Sequence, residues 1–355
     1  MLDDLRTLAR VLRNDHAPHD STGSVIVADH PHARLRRYGT PQQVDAARAA
    51  RAVPVLLVPP LAVPASCYDL APGATPANSV VEFLLSTGTI PYVVDFGDVG
   101  YADRGLGFED YFDEFVPQAV TAAVDDFRAG SDAVDLLGWS LGGTISVLTA
   151  AYRPELPIRS VITVGTPLNY SKMATYALAR RLLSPTGGKP LNYLLRAGGG
   201  IPAPLVQFAY RASAWQRELR KPRYILDNLD DPDALVRMQV IDRFQDAMPG
   251  YAGRVSEQML VNLVVGNEIG EGVLHLGGRT VDVRTVAAPV FMVGSHRDAI
   301  VGYAAARHGE ALFTASSHVE FHTVESSHLG LLTGADAAAQ TWPAIAAFRE
   351  RIAAE

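Results

Sequence analysis

The sequence predicts an α/β fold in which a mostly parallel, doubly wound sheet is interrupted by one helical insertion. Three observations lead there. Apolar runs of strand length recur at Val53–Val58, around Tyr92, at Ala133–Leu137, around Ile158, at Ala288–Gly294 and at Val319–Val324, a pattern of buried strands in βα alternation. Between about 169 and 285 that alternation gives way to helical patterns broken by Gly187-Gly188 and Gly198-Gly199-Gly200-Ile201-Pro202, which reads as a cap. The 355 residues, 48% of them hydrophobic, suffice for one large core plus that cap, so no separate second domain is needed. The expected organisation is an N-terminal extension over 1–50 with no chemistry attached, a first half of the core over 51–168, the cap over 169–285, and a second half over 286–355. That second half ends in a helix over Pro343–Ala354. The glycine triplet of the cap has no following lysine and reads as a hinge or turn rather than a phosphate loop.

Taken in order, the central elements carry chemistry. Ala133–Leu137 is a strand, and Thr144–Tyr152 has the pattern of a helix. Between them, Gly138-Trp139-Ser140-Leu141-Gly142 places a serine inside Gly-x-Ser-x-Gly. A nucleophile on so tight a strand-to-helix turn needs glycines at both flanks, because side chains there would collide as the chain folds back. The helix would also aim its positive N-terminal end at Ser140. The plain alternative is an ordinary βα turn with a serine helix cap.

A serine nucleophile needs a base and an acid. In the α/β-hydrolase fold, which the elbow and strand pattern resemble, the acid and then the histidine follow the nucleophile along the chain, each on the loop after a late strand. Ser295–Val301 follows the run at Ala288–Gly294 and offers Asp298, while Glu325–Gly330 follows Val319–Val324 and offers His328. Of the ten histidines, His322 lies inside a strand and His296 precedes the acid. The expected triad is therefore Ser140, His328 and Asp298. Its oxyanion amides come from Leu141 and from the loop Pro59–Pro64, where prolines lack a donor and leave Leu61, Ala62 or Val63, Ala62 being favoured. A rigid proline connector with no catalytic amide fits that loop equally well.

At this point the chain resembles the polyhydroxyalkanoate synthases, in particular the short kind of about this length. The resemblance is carried by Val58-Pro59-Pro60-Leu61-Ala62 through Asp69-Leu70-Ala71-Pro72, by Asp95-Phe96-Gly97, Ala102-Asp103-Arg104 and Phe108-Glu109-Asp110-Tyr111, by Thr166-Pro167-Leu168-Asn169-Tyr170, and by Asn262-Leu263 with Gly278-Arg279-Thr280-Val281-Asp282-Val283. It spans roughly residues 50 to 335. It implies the same acid and histidine, Asp298 and His328, and an acyl-transfer activity on 3-hydroxyacyl thioesters. Three positions depart from the family pattern. Ser140 stands where the family has its cysteine nucleophile, Ala299 where a histidine follows the acid, and Met238–Arg243 replaces a tryptophan-containing segment. Serine makes oxygen-ester substrates as plausible as thioesters, so an esterase, lipase or intracellular polyester depolymerase stands beside acyl transfer, and a non-catalytic binding subunit on the same fold is the reading of another class.

Other features bound the partners. The net charge of −7 supplies no general basic excess for nucleic acid. No 18-residue apolar run and no signal-like start occur, so the expectation is a cytoplasmic protein without a membrane-integral segment. The single cysteine, Cys67, excludes an internal disulfide framework and reads as a small buried side chain. Arg217, Arg220 and Lys221 beside Trp215, with Arg211 and Arg223, have a spacing that suits CoA phosphates or a solvated helix face. Leu205, Val206, Phe208 and Tyr210 are candidates for an acyl tunnel. The expected partner is an acyl-CoA or acyl-ester substrate, with a homodimer as one assembly open to the chain; no cofactor and no metal are expected.

Overall fold

The computed structural model describes residues 21–73, 78–213 and 215–354. The first twenty residues of the expected N-terminal extension, and the side chains of Trp215 and Arg217, fall outside what is described. Chain order runs through β1 (Ser24–Ala28), β2 (Arg34–Tyr38), β3 (Val55–Val58), β4 (Pro91–Asp95), β5 (Val134–Trp139) and β6 (Ile158–Val164). A helical insertion follows, with two small pairs, β7 (Gly200–Ile201) with β8 (Tyr251–Ala252) and β9 (Val273–Leu276) with β10 (Arg279–Asp282). The chain then returns through β11 (Val290–Gly294) and β12 (Val319–Thr323).

These strands form one eight-stranded sheet in the order β1-β2-β4-β3-β5-β6-β11-β12. From β4 to β12 every pairing is parallel, whereas β1 pairs antiparallel with β2, and β2 with β4. Part of the expected N-terminal extension thus forms the edge of the sheet. Its strand character is muted in sequence because β2 is rich in arginine, and those charges are matched across the surface: Arg37 donates to Asp126 at 2.7 and 3.0 Å.

Parallel strands covered on both faces need apolar residues at successive positions, and β3 is fully buried as Val55-Leu56-Leu57-Val58. Alternation divides it between two cores: Leu56 and Val58 pack with Leu136 and Phe112 on one face, Val55 and Leu57 with Leu137 and Phe291 on the other. The helix Val116–Phe127 buries Val116, Ala119, Val120, Ala123 and Phe127, the i, i+3, i+4, i+7 stripe expected of a helix on a sheet.

One charge sits inside this apolar layer. Asp135, on β5, is wholly buried and accepts from Arg159 at 2.8 Å, Arg349 at 2.7 Å and Ser160 at 2.7 Å. Burial alone would raise its pKa, but the two guanidiniums outweigh that and hold the carboxyl below its ordinary value. Arg349 also donates to the Val53 carbonyl and to Thr89, which ties the last helix to the start of the sheet. No helix among the described residues is long and apolar enough to cross a membrane.

Candidate active site

The C-terminal end of β5 runs straight into the helix Leu141–Tyr152, with Ser140 as the single residue between them. Ser140 has φ 51° and ψ −124°, a conformation that costs a non-glycine residue on the order of 1–3 kcal/mol and is kept only where packing enforces it. Packing does enforce it. A Cβ at Gly142 would lie 2.0 Å from the Val58 carbonyl oxygen, and one at Gly138 would lie 2.4 Å from the Gly142 backbone. The helix start is therefore pressed onto the end of β3 at a distance that only hydrogen on Cα permits. The Ser140 N–H donates to the Val164 carbonyl at 2.8 Å, which fixes the turn against β6.

The loop after β11 carries Asp298 and the segment after β12 carries His328, both buried. Their side chains meet, with His328 Nδ1 2.7 Å from Asp298 Oδ2. The other carboxylate oxygen, Oδ1, accepts the backbone N–H groups of Ile300 and Val301, each at 2.8 Å. A carboxylate only accepts, so Nδ1 carries the proton and Nε2 presents its lone pair. That Nε2 is buried and has no hydrogen-bond partner. The structure thus brings Asp298 and His328 into contact, while no hydrogen bond joins His328 to Ser140. The other histidines weighed from sequence lie elsewhere: His296 stacks on Tyr303, and His322 on β12 lies against Phe291.

Leu141 supplies the first N–H of its helix, a group with no intrahelical acceptor. Pro60–Val63 forms a turn closed by the Val63 N–H donating to the Pro60 carbonyl at 3.3 Å, which occupies the Val63 amide and leaves Leu61 and Ala62. Ala62 has φ 59°, a second strained position beside the elbow.

Two residues that sequence reasoning did not single out hold these pieces together. Trp139 is fully buried, donates from Nε1 to the His328 carbonyl at 3.2 Å, and lays its ring 5.1 Å from the imidazole. The Tyr68 hydroxyl donates to the Val58 carbonyl at 2.6 Å and accepts from the Trp139 N–H at 3.1 Å. The only sequence signal was the position of Trp139 inside the elbow pentapeptide; Tyr68 gave none.

Ser140 and Leu141 open into a pocket of about 450 Å³. Its walls are apolar side chains from the insertion, including Leu205, Val206 and Met259, together with Tyr170, Tyr176, Tyr210 and Tyr251, and Ala299 lies beside Ile300 on the opposite side. Burial pushes all four phenols above their ordinary pKa, so they stay neutral. Phe208 corrects the tunnel reading, since it is 68% exposed and faces outward. It shares a helix face with water, whereas Val206 and Tyr210 turn inward. Among the described residues, no lysine or arginine lines the pocket. Of the basic residues weighed for CoA, Arg211 pairs with Asp246, Lys221 with Asp242 at 2.6 Å and Arg223 with Asp227 at 3.3 Å, while Arg220 is exposed. Cys67 is fully buried and its thiol is raised by desolvation, which removes thiolate reactivity. Among the described residues no three side chains cluster as a metal site.

No family model matches the chain. It is 27% identical over 316 residues to the poly(3-hydroxyalkanoate) polymerase subunit PhaC of Allochromatium vinosum, covering 88% of this chain and 83% of that one. PhaC of Thiocystis violacea is 24% identical over 313 residues, with the same coverage of 88% and 83%. Among solved structures, BpoC from Mycobacterium tuberculosis superposes with a TM-score of 0.53 at 16% identity, covering 92% of this chain and 99% of that one. The esterase RhEst1 from Rhodococcus gives 0.51 at 15% identity, covering 94% and 99%. These likenesses show the α/β-hydrolase fold.

Proposed function

The chain is a homologue of the poly(3-hydroxyalkanoate) polymerases on an α/β-hydrolase fold, and from that kinship we propose that it is a serine acyl-transfer enzyme. In this reading Ser140 is the nucleophile, His328 the general base and Asp298 the group that orients the imidazole. The observation that carries it is the buried, unpartnered Nε2 of an imidazole held by Asp298, in a site where Ser140 is strained into the mouth of an apolar pocket. Ser140 Oγ attacks the acyl carbonyl and gives its proton to Nε2 as the substrate seats. The hydrogen bond between them forms at that stage, as it commonly does only in the bound complex. The tetrahedral oxyanion is held by the N–H groups of Leu141 and Ala62. The leaving thiol or alcohol takes the proton back from Nε2, and the acyl group remains on Ser140 as an ester. Water or an alcohol then repeats the sequence in reverse and frees the serine.

The nucleophile decides the fate of the acyl group. A cysteine would exchange one thioester for another, nearly in balance, and keep the acyl group activated. Transfer from CoA to Ser140 makes an oxygen ester and is strongly downhill, so the acyl enzyme passes to water or to an alcohol with little bias. We therefore read the enzyme as a single-turn acyltransferase or hydrolase on neutral acyl esters or 3-hydroxyacyl thioesters rather than a rapid polymer synthase. The hydrolase side is supported by the pocket's described lining, which is apolar and phenolic and includes no cation for the phosphates of CoA. The thioester side places the enzyme in the cytoplasm, where CoA thioesters are made. Neither side requires a cofactor.

The test is direct. Wild-type protein is expected to label with a fluorophosphonate, to cleave a short p-nitrophenyl ester, and to release CoA from 3-hydroxybutyryl-CoA with more free acid than oligomer. Ser140→Ala is expected to lose labelling and to fall by several orders of magnitude in turnover. Folded wild type that neither labels nor turns over either substrate makes the chain a binding subunit. Fast formation of long polymer by wild type refutes the energetic argument about serine.

A further inference from the structure

Phenols interrupt the apolar wall of the Ser140 pocket. Tyr170 opens the short helical turn Tyr170–Lys172, Tyr176 lies on the helix Ala174–Leu183 and Tyr251 on β8, so three stretches of chain each bring a tyrosine to one cavity. Among the described residues no hydrogen bond reaches the hydroxyl of Tyr170, Tyr176 or Tyr251, and none of the three is sealed away from the lumen. Buried phenols outside the pocket are used differently: the Tyr68 hydroxyl donates to the Val58 carbonyl and that of Tyr92 to Asp126, each at 2.6 Å. Tyr170 is the clearest case. Only 1% of it remains exposed, so the little of this side chain that is open at all faces the cavity it lines.

These hydroxyls are grouped rather than scattered. The rings of Tyr170 and Tyr176 lie 5.7 Å apart, and ionisation of Tyr251 is opposed by both Tyr176 and Tyr170. The group lies towards the reacting end of the pocket, because Tyr210, which is close enough to Tyr176 to feel its charge, feels that of Asp298 as well. A neutral phenol both donates and accepts. A chain of hydrocarbon alone would strip water from these groups and return nothing, which is unfavourable for buried polar atoms. An oxygen on the chain would take the place of that water. The cavity of about 450 Å³ falls within the range of about 300–1,000 Å³ of small-molecule sites, where a mainly apolar wall carries a few polar groups that fix orientation.

Resting on the reading of Ser140 as nucleophile, we propose that the hydroxyls of Tyr170, Tyr176 and Tyr251 determine which acyl group this pocket accepts, by hydrogen-bonding an oxygen carried on the acyl chain beyond the reacting carbonyl and disfavouring chains of hydrocarbon alone. The experiment compares the p-nitrophenyl esters of 3-hydroxybutyric and 3-methylbutyric acid, which differ by a hydroxyl in place of a methyl group of similar size. Wild type is expected to favour the hydroxy ester at least about tenfold in kcat/KM, since a site built to hydrogen-bond a hydroxyl rejects the analogue that lacks it. Tyr170→Phe, Tyr176→Phe and Tyr251→Phe together are expected to bring that ratio below about threefold, with kcat/KM for the methyl-substituted ester unchanged or raised. The melting temperature should hold, because hydroxyls without partners in the chain fasten nothing in the fold. Any effect of the substituent on the ester's own reactivity is common to wild type and variants and cancels between them. The three single variants share out the effect and carry the test if the triple variant does not fold, at least one of them lowering the ratio about threefold. A wild-type ratio below about threefold, or a ratio that survives in the triple variant or in all three single ones, overturns the proposal. Calorimetric binding of methyl 3-hydroxybutyrate and methyl 3-methylbutyrate to Ser140→Ala reads the same preference without the chemistry. Preference there, with no turnover of either ester by wild type, sustains the phenols and refutes only the serine reading. Turnover of both esters without preference refutes only the role of the phenols.

Discussion

Replacing Asp298 with asparagine separates the role of its two oxygens. Oδ1 takes two backbone N–H groups at 2.8 Å each, while Oδ2 takes only the His328 Nδ1 at 2.7 Å. An asparagine must therefore keep its carbonyl on the Ile300 and Val301 amides, since turning its NH₂ there would face donors with donors and strand two buried N–H groups at about 1–3 kcal/mol each. The NH₂ is forced towards His328. It donates to Nδ1, drives the ring to the other tautomer, and puts the proton on Nε2, where a base must have a lone pair. For Asp298→Asn we expect turnover to fall by about 10⁴, as an orienting acid in a serine triad generally contributes, equivalent to about 5 kcal/mol of transition-state stabilisation. Stability should change by less than about 1.5 kcal/mol, because every backbone partner is retained. Asp298→Ala should lose the same activity and in addition destabilise by about 2–6 kcal/mol, for the two abandoned amides. Ester hydrolysis followed with a thermal melt reads both quantities. Asp298→Asn with a tenth or more of wild-type turnover, on an intact fold, refutes the assigned geometry.

Gly142→Ala would put a Cβ 2.0 Å from the Val58 carbonyl oxygen, so the helix must retreat by roughly 1 Å; we expect about 1–3 kcal/mol of destabilisation and a loss of about 10²-fold in turnover, and equal activity would show that the elbow does not need this approach. Trp139→Phe keeps the ring against His328 and removes the donor to its carbonyl, so about 1 kcal/mol of stability should go, with a larger loss in kcat than in KM; an unchanged kcat would make the indole a packing residue only. Asp135→Asn should destabilise by about 3 kcal/mol with normal activity per folded molecule, because two half-buried guanidiniums lose the counter-charge of a wholly buried carboxylate well away from Ser140. The carboxyl of Asp135 is held below its ordinary value of 3.8, so its stabilisation is present above that pH and is lost as pH falls through the lower, folded value. The wild type should accordingly show an acid limb below about pH 4 that denaturant melts of Asp135→Asn lack.

Much of the architecture was readable in the chain because parallel strands buried on both faces announce themselves as apolar runs, unbroken in β3 and β11 and interrupted by few polar residues in β5 and β6, while the half-buried edge strand β12, Val-Glu-Phe-His-Thr, was placed by its position after β11. Asp298 and His328 were picked out by the acid-then-histidine order of the fold that the elbow resembles, and the structure brings their side chains together from loops that follow the paired parallel strands β11 and β12. The β1–β2 hairpin was hidden because Arg34, Arg36 and Arg37 obscure the strand pattern, and two of them are matched by acidic residues distant in sequence, Arg36 by Asp95 and Arg37 by Asp126. The outward turn of Phe208 was equally illegible, because Leu205 and Phe208 share one helix face and Val206 and Tyr210 another, and only packed neighbours decide which is dry. Tyr68, Tyr176 and Tyr251 leave no local pattern at all, being drawn to the site from separate stretches of chain.

The Tyr68 hydroxyl, seated between the Val58 carbonyl and the Trp139 N–H, makes the spacing of the two amide-bearing turns a property of a side chain rather than of either turn. A phenol is a rigid spacer of fixed length. A change confined to the proline loop therefore leaves the end of β3 and the approach to Ser140 where the latch at position 68 holds them. Tyr68→Phe would remove the link between the end of β3 and the approach to Ser140, so the one hydroxyl bears on both turns at once.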